Sequence, residues 1–356
     1  MNIGISAQLL RSHPTGVEMY VFNLIRHLVA ADATNRYFIY CYDNELTRRL
    51  ESSDNAVLRK IPLPPSRALR VAFEQFRLPG LLHKDGIDVY HSPAYIIPLL
   101  TPSSIPTVVS IFDVFAITRP GFCRLHNRLY YRMVLPHAVR KADRIITLSQ
   151  LVKDDIISTF QVPAGKIVVN YPGIDQPRPG ATGIDGRFIL HVGNFDPKKN
   201  IPFLIRAFER LKAVAGIPHK LVLAGEQSWQ YSEVLQMANA SRYANDIIFT
   251  GYVPEDRKWA LYRDADLFVF PSLFEGFGFP PIEAAASGTR VLVSDIPIFR
   301  ETIPDAAFFR PNDLDSCVSQ MQTLLAGLPR QFIDLSRYSF ETHARQCIAL
   351  YKELAG

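Results

Sequence analysis

The stretch from Ser272 to Ser294 reads SLFEGFGFPPIEAAASGTRVLVS. It follows the apolar run DLFVF, turns through Gly-Phe-Gly-Phe-Pro-Pro, passes into an alanine-rich segment and leaves through a second apolar run, RVLVS. Glycine admits backbone conformations closed to other residues, and proline is favoured in a helix's first turn. The stretch therefore predicts strand, tight loop, helix and strand, the repeating unit of a parallel α/β sheet. Glu275 falls in the loop and Glu283 on the helix, eight residues apart. The residues alone leave two readings open: a ligand site with two carboxylates, or a corner with one capping and one solvated glutamate.

Working outward, the same rhythm fills the C-terminal half: FILHVG, LIRAFERL, KLVLAGE, DIIFTG, DRKWALYRDA and DLFVFPS alternate strand and helix signals up to the quoted stretch. That alternation predicts a doubly wound α/β domain. The N-terminal half carries IGISA, YFIYCY, IDVYHS, TVVSIFD and RIITLS, apolar runs without strict alternation, as in strands buried on both faces. Between the first two lies VEMYVFNLIRHLVA, with Val17, Tyr20, Val21, Leu24, Ile25 and Leu28 at helical spacing. YPGIDQPRPGATGIDGRF, Tyr171 to Phe188, has no period and reads as a linker. The expected organisation is a first Rossmann-like domain over 1–170, a linker over 171–187, a second over 188–338, and a final helix over 339–356 with Ser339 as N-cap, returning to the first domain. At 356 residues, two cores are also what chain length favours.

Composition narrows the class. With 48% hydrophobic and 21% charged residues the chain is globular rather than disordered, and no apolar run reaches the length of a membrane span. The opening MNIGISAQLL lacks the pattern of a signal peptide, so a cytoplasmic protein is expected. Cys41, Cys123, Cys317 and Cys347 are scattered, without zinc-ligand spacing, and read as reduced structural thiols. Residues 1–170 hold 20 Lys+Arg against 13 Asp+Glu, whereas the remainder holds 19 against 21. The basic half suggests an anionic partner: a phosphorylated substrate or a lipid surface, since no nucleic-acid module is present.

Several residues stand where chemistry is expected. HVGNFDPKKN follows a strand, with Gly193 and Asn194 at the turn and Lys198 and Lys199 behind them, placed to neutralise a phosphate. Gly276, Phe277, Gly278 and Phe279 bring backbone N–H groups and a positive helix end to the quoted loop, ready for a phosphate. Gly16, in SHPTGVEMY, opens the first helix, with His13 in the loop before it. His91 and Asp113 stand at carboxyl ends of strands, whereas His126, His137 and His343 lie in helical contexts. The triplets Asp264-Ala-Asp266 and Asp313-Leu-Asp315 occupy turn and helix-start positions, so no metal is expected at them.

Together these segments resemble the retaining family-4 glycosyltransferases, whose two-Rossmann-domain architecture is called GT-B. The resemblance spans nearly the whole chain: PTGVEMYVFNLIRHL, KADRIITLSQLVKDDI, YPGID, HVGNFDPKKN, LVLAGE, the run from FTGYVPEDRKW to RVLVSDIP, and YSFETHARQCIALYKEL. Its most specific mark is the Glu-x7-Glu pair in EGFGFPPIE. The resemblance implies that Glu275 contacts the donor sugar together with the Gly276–Phe279 amides, that Glu283 holds the ribose, that Lys199 binds the diphosphate, that Gly16 lies near phosphates and acceptor, and that Val253 lies by the base. The sequence departs from the family where many members carry an arginine after the glycine of the lysine loop, here Asn194, and a His-Asp pair, here Phe112-Asp113.

The implied reaction is metal- and cofactor-independent transfer of a hexose, with retention, from a nucleotide-sugar to a hydroxyl of a glycan or lipid-linked acceptor. The run VVSIFDVFAITRPGF followed by LYYRMVLPHAVRKADRI resembles bacterial surface-polysaccharide mannosyltransferases, which favours GDP-mannose over UDP-hexoses. Asp113 and His91 are the side chains expected to stand in for the absent histidine. The rival readings are a two-Rossmann epimerase or phosphorylase and a non-catalytic sugar-nucleotide-binding scaffold. A dinucleotide oxidoreductase is disfavoured, since no G-x-G-x-x-G follows either opening strand. Basic segments such as SRALRVAFEQFRLPGLLHK and RLHNRLYYRMVLPHAVRK point to peripheral contact with an anionic membrane, on its inner face.

Overall fold

The computed structural model describes the whole chain apart from residues 13, 52, 63–65, 227–230 and 328–331. His13 thus lies outside the described residues. The chain divides into two compact units, Met1–Gly173 with Arg337–Gly356, and Ile174–Ser336.

The first unit is built on a parallel sheet of seven strands: β1 (Asn2–Ser6), β2 (Arg36–Cys41), β3 (Ala56–Lys60), β4 (Val89–Ser92), β5 (Thr107–Ser110), β6 (Arg144–Thr147) and β7 (Ile167–Val169). Their order is β3-β2-β1-β4-β5-β6-β7, so the winding reverses between β1 and β4, where Ile5 lies opposite His91. The edge strands β3 and β7 were not among the expected ones; AVLRK is only half-buried and IVV is three residues long, so neither gives an apolar run.

The helix Gly16–Ala31 buries Tyr20, Val21, Leu24, Ile25 and Leu28, the stripe its spacing dictates. At its start the Glu18 carboxylate accepts the Thr15 N–H at 2.5 Å, satisfying a donor the helix leaves open. The final helix, Phe340–Ala355, is capped by Ser339, whose hydroxyl accepts from Thr342 N–H. It packs on Gly16–Ala31 within the first unit. His343 fixes the contact: its Nδ1 donates to the Tyr171 carbonyl at 3.1 Å, leaving Nε2 to accept from the Tyr20 hydroxyl at 3.0 Å.

The second unit carries a six-stranded parallel sheet: β8 (Phe188–Val192), β9 (Lys220–Ala224), β10 (Ile247–Gly251), β11 (Leu267–Phe270), β12 (Val291–Ser294) and β13 (Ala307–Phe309), in the order β10-β9-β8-β11-β12-β13. Here the winding reverses between β8 and β11. The core on one face joins Phe203, Leu204, Phe208 and Leu211 of the helix Ile201–Ala215 to strand residues such as Ile189, Leu221 and Val269. Each unit is thus an α/β doubly wound sheet.

The Pro/Gly segment has neither helix nor strand from 171 to 187, yet it is not a free connector. A Cβ on Gly180 would stand 2.3 Å from the Asp256 carbonyl, and Arg257 Nε donates to the Thr182 carbonyl at 2.9 Å. Much of it is therefore packed against the second unit.

Candidate functional site

Open α/β sheets take ligands outside the carboxyl ends of their strands, where the winding reverses. In the second unit that place lies beyond β8 and β11, and the two loops leaving it are laced together. Leu273 N–H donates to the Lys198 carbonyl at 2.8 Å, while Ser294 Oγ donates to the Ser272 carbonyl. Between them lies a charged cluster. Lys199 Nζ stands 2.5 Å from Glu275 Oε1, Ser272 Oγ donates to the same oxygen at 2.8 Å, and Lys198 Nζ is 3.7 Å from Oε2. Lys199 Nζ also lies 4.5 Å from the centroid of the Phe270 ring.

Burial opposes ionisation of Glu275, but Lys199, Lys198 and the bonds from Lys199 and Ser272 outweigh it and hold the carboxyl below its ordinary range. The cluster is two lysines around one carboxylate, with Lys199 and Glu275 only 9% and 6% exposed. Its surplus cation suits an anion, and the carboxylate keeps the lysines in place until one arrives.

The quoted loop closes as its residues require. Gly278 sits at φ +89, in the left-handed region, and a Cβ there would lie 2.6 Å from Phe299. It precedes the helix Phe279–Ala286. Pro280 and Pro281 have no N–H, so of the first three helical positions only Phe279 has one. The N–H groups there are therefore those of the expected Gly276–Phe279 stretch, with Phe279 the first helical residue. The Phe277 and Phe279 rings pack at 4.8 Å.

Glu283, on the same helix, accepts from Lys258 Nζ at 3.0 Å through one oxygen and from the Tyr262 hydroxyl at 2.8 Å through the other. Both donors come from one face of the helix Glu255–Asp264. Burial opposes the charge on Lys258, but Glu283 and Glu255 outweigh it and raise its pKa. Val253, 7% exposed, is in the turn before that helix. Gly193, at φ +157, and Asn194 lead from β8 to the lysines.

In the first unit the expected residues fare differently. At Gly16 the backbone is ordinary and a Cβ would meet nothing within 4 Å, so neither conformation nor packing in the unit requires glycine. Asp113 accepts from the Tyr95 hydroxyl at 3.0 Å. His91 is corrected. It is fully buried, with Nδ1 2.6 Å from the Tyr351 hydroxyl and Nε2 2.9 Å from Ser110 Oγ. Nδ1 is spent on the final helix and Nε2 on the end of β5, burial lowers the pKa to about 3, and neither ring nitrogen is left open to a ligand in this structure. Phe112 is 6% exposed, edge-on to Tyr20 and Tyr95 at 5.1 and 5.3 Å.

The acidic triplets have structural partners. Asp264 pairs with Arg263, Asp266 with Arg187, and Asp313 caps the helix Leu314–Leu325. Among the described residues no three His, Cys, Asp or Glu gather to hold a metal, and no disulfide joins any of the four cysteines.

Sequence reading missed His191. Its Nδ1 donates to the Val269 carbonyl at 3.1 Å, its ring stacks on Phe270, and its Nε2 is buried without a partner, beside Gly193. A histidine one residue from the end of a strand that runs into a glycine turn was the available signal. Ser272, Lys258 and Tyr262 were also missed: Ser272 holds Glu275 from three residues away, and Lys258 and Tyr262 hold Glu283 from 25 and 21 residues away.

Two family models match the chain in succession: Glycosyltransferase Family 4 over residues 14–178 and Glycosyl transferases group 1 over residues 176–334. The chain is 25% identical to O-antigen chain mannosyltransferase B of Escherichia coli over 99% of its own length and 100% of the relative's. It is 30% identical to O-antigen chain mannosyltransferase RfbU of Salmonella typhimurium over 60% of its length and 61% of that protein's. Among solved structures, a glycosyltransferase from Rickettsia africae superposes with a TM-score of 0.73 at 15% identity, covering 99% of this chain and 98% of the other, which speaks to fold alone.

Proposed function

We infer the reaction from one premise: the chain belongs to the glycosyltransferases, family 4 in its first half and group 1 in its second, with the GT-B fold. We propose that it transfers an α-mannosyl group from GDP-mannose, with retention, to a hydroxyl of a glycan or lipid-linked acceptor in surface polysaccharide synthesis. The buried Lys199–Glu275–Lys198 cluster at the reversal of the second sheet carries the proposal. The O-antigen mannosyltransferase relatives support the choice of sugar.

In the proposed step the bond from sugar C1 to the β-phosphate oxygen breaks and the acceptor oxygen bonds to C1. The acceptor's proton passes to an oxygen of the departing diphosphate. Negative charge grows on that group, and Lys199, Lys198 and the positive end of Phe279–Ala286 stabilise it. Glu275 acts as an anchor. A carboxylate already bound by Lys199 and Ser272, with a pKa below the ordinary range, is a weak nucleophile, which speaks against a glycosyl-enzyme. Glu283, fixed by Lys258 and Tyr262, takes the ribose hydroxyls, with the base near Val253 and the phosphates approaching Gly193 and Asn194.

Thermal stability measured with GDP-mannose, GDP-fucose, UDP-glucose, UDP-galactose and UDP-N-acetylglucosamine tests this on wild type and Glu283→Ala. GDP-mannose should stabilise the wild type selectively, raising Tm by several degrees at saturation, with the gain lost in the variant. Selective stabilisation by a UDP-sugar would replace the donor. Binding of a donor without transfer to any acceptor would favour a scaffold.

The proposal includes a place at a membrane's inner face. Among the described residues no helix is long and apolar enough to cross one. The helix Leu125–Lys141, however, leaves Leu125, Leu129 and Met133 at 69%, 56% and 77% exposure, four residues apart. Residues 114–142 contain six Lys+Arg and no Asp or Glu. Phe76, Leu99 and Leu100 are exposed as well, and the Gln75 side chain accepts Leu99 N–H at 2.8 Å. Apolar side chains among arginines fit anionic lipid. The chain should sediment with phosphatidylglycerol vesicles but not phosphatidylcholine ones, and Leu129→Glu with Met133→Glu should release it; equal recovery on both lipids would sink the idea.

A further inference from the structure

His191 has no task in the proposed reaction, yet it lies among the residues that carry it. It is the penultimate residue of β8 and fully buried. Its Nδ1 stands 3.1 Å from the Val269 carbonyl, and a carbonyl only accepts, so the ring proton is on Nδ1. Nε2 is then a bare lone pair, buried and without a partner. Burial lowers the pKa to about 3 against the pull of the Val269 bond, and Lys199 pushes it the same way as burial, so the ring is neutral. Buried acceptors are ordinarily hydrogen-bonded, and one left open beside a ligand site points to a partner that comes later.

The surroundings of Nε2 say which partner. A Cβ on Gly193 would lie 3.5 Å from His191 Nε2, 3.6 Å from Lys199 Cε and 3.7 Å from Phe270 Cε2. Those are ordinary contact distances, so the glycine leaves a gap the size of a methyl group, edged by these three side chains. Phe270 ties the other two together: the His191 ring stacks on it with centroids 5.2 Å apart, and Lys199 Nζ lies 4.5 Å from its centroid. Of the three, only Lys199 has protons to give to Nε2. In the free chain its ammonium is drawn instead to Glu275 Oε1, at 2.5 Å.

We propose that His191 is a positioning residue for Lys199: when the diphosphate binds and Glu275 turns to the sugar, the ammonium leaves the carboxylate and donates to His191 Nε2, which keeps it aimed at the leaving group. The neutrality of the partner matters. A second carboxylate there would cancel the lysine's charge, whereas an imidazole lone pair fixes its direction and leaves the charge for the phosphate. The phosphate does not compete for Nε2, since both are acceptors. The exchange is of hydrogen bonds alone; no proton changes owner. The inference rests on the transferase reading and adds what holds its leaving-group cation once the donor is bound.

The test is nitrogen-15 NMR of the histidines in the full chain, with and without saturating GDP or UDP, since the cluster meets the diphosphate and not the base. The His191 signals are those lost in His191→Phe or His191→Gln, whichever folds. In the free chain Nε2 should resonate as an unprotonated nitrogen without a hydrogen bond, and the nucleotide should move it toward the protonated position while Nδ1 stays. In transfer assays with GDP-mannose, His191→Phe keeps a stacking ring and should lower kcat about tenfold or more, the loss of one hydrogen bond to a charged group. KM should change less, because Lys199 still meets the diphosphate but has only Glu275 to hold it. His191→Gln puts an amide oxygen at similar reach and should recover most of the loss. If a nucleotide raises Tm while Nε2 does not move, or if His191→Phe turns over as fast as wild type, the inference falls and His191 is a packing residue beside a trapped water. If neither nucleotide raises Tm or moves any signal, the transferase reading falls and takes the inference with it.

Discussion

The two units share a topology and put opposite chemistry at the same place. Each reverses its winding between two adjacent strands, β1 and β4 in the first, β8 and β11 in the second, and each opens a ligand position there. In the second unit the position is charged and fully engaged: two lysines and a carboxylate hold one another, tied to the loops by Ser272 and Leu273. In the first, Arg70 and Glu74 stand beside Gln8, whose Nε2 donates to Ser6 Oγ at 3.5 Å while its Oε1, like Arg70 Nε, has no partner. A preassembled cation site suits a diphosphate, whose charge repays desolvation of the lysines. The fold supplies two equivalent positions, and the side chains give them different chemistry.

The comparison breaks most readily at Lys199. Replacing it with alanine removes the buried cation nearest Glu275 and leaves that carboxylate with Lys198 at 3.7 Å. The transfer rate with GDP-mannose should fall about 100- to 1000-fold, the usual effect of deleting one preorganised charge at a leaving group. Steady-state transfer assays decide it. A loss under about fivefold would mean that the cluster only holds two loops together.

Legibility followed the same divide. The second site could be read because its residues are nearly consecutive: Gly193 to Lys199 leave one strand, and Glu275 to Glu283 leave its neighbour. Loop, glycine and helix start appear in the sequence in the order in which the fold uses them. The first position is assembled from residues 6–8, 70–74 and 92–96, none of which forms a motif, so only the folded sheet brings them together. His91 was misread for a related reason. A strand end is visible in sequence, but which face a side chain takes, and that Tyr351 of the final helix waits there, is not. Pro280 and Pro281 marked the helix start correctly.

The smaller effect concerns Glu74 and sharpens the contrast between the two glutamates, Glu275 held below its ordinary range and Glu74 pushed above it. It is 4% exposed, burial raises its pKa to about 7, and only Arg70 pulls the other way; Tyr90 and Tyr42 are its other titratable neighbours. An unfolded glutamate ionises near 4.5. Between those values the folded chain keeps a proton that the unfolded chain has lost, so stability falls as pH rises from about 4.5 to about 7 and levels off above. The two and a half pH units correspond to about 3 kcal/mol. Glu74→Gln keeps the shape of the protonated side chain and abolishes the titration. Urea unfolding followed from pH 4.5 to 8 should therefore give two curves that separate with pH, the variant gaining on the wild type by up to that amount. Parallel curves would mean that Glu74 is ionised in the folded chain, and both sheet reversals would then hold an ionised glutamate.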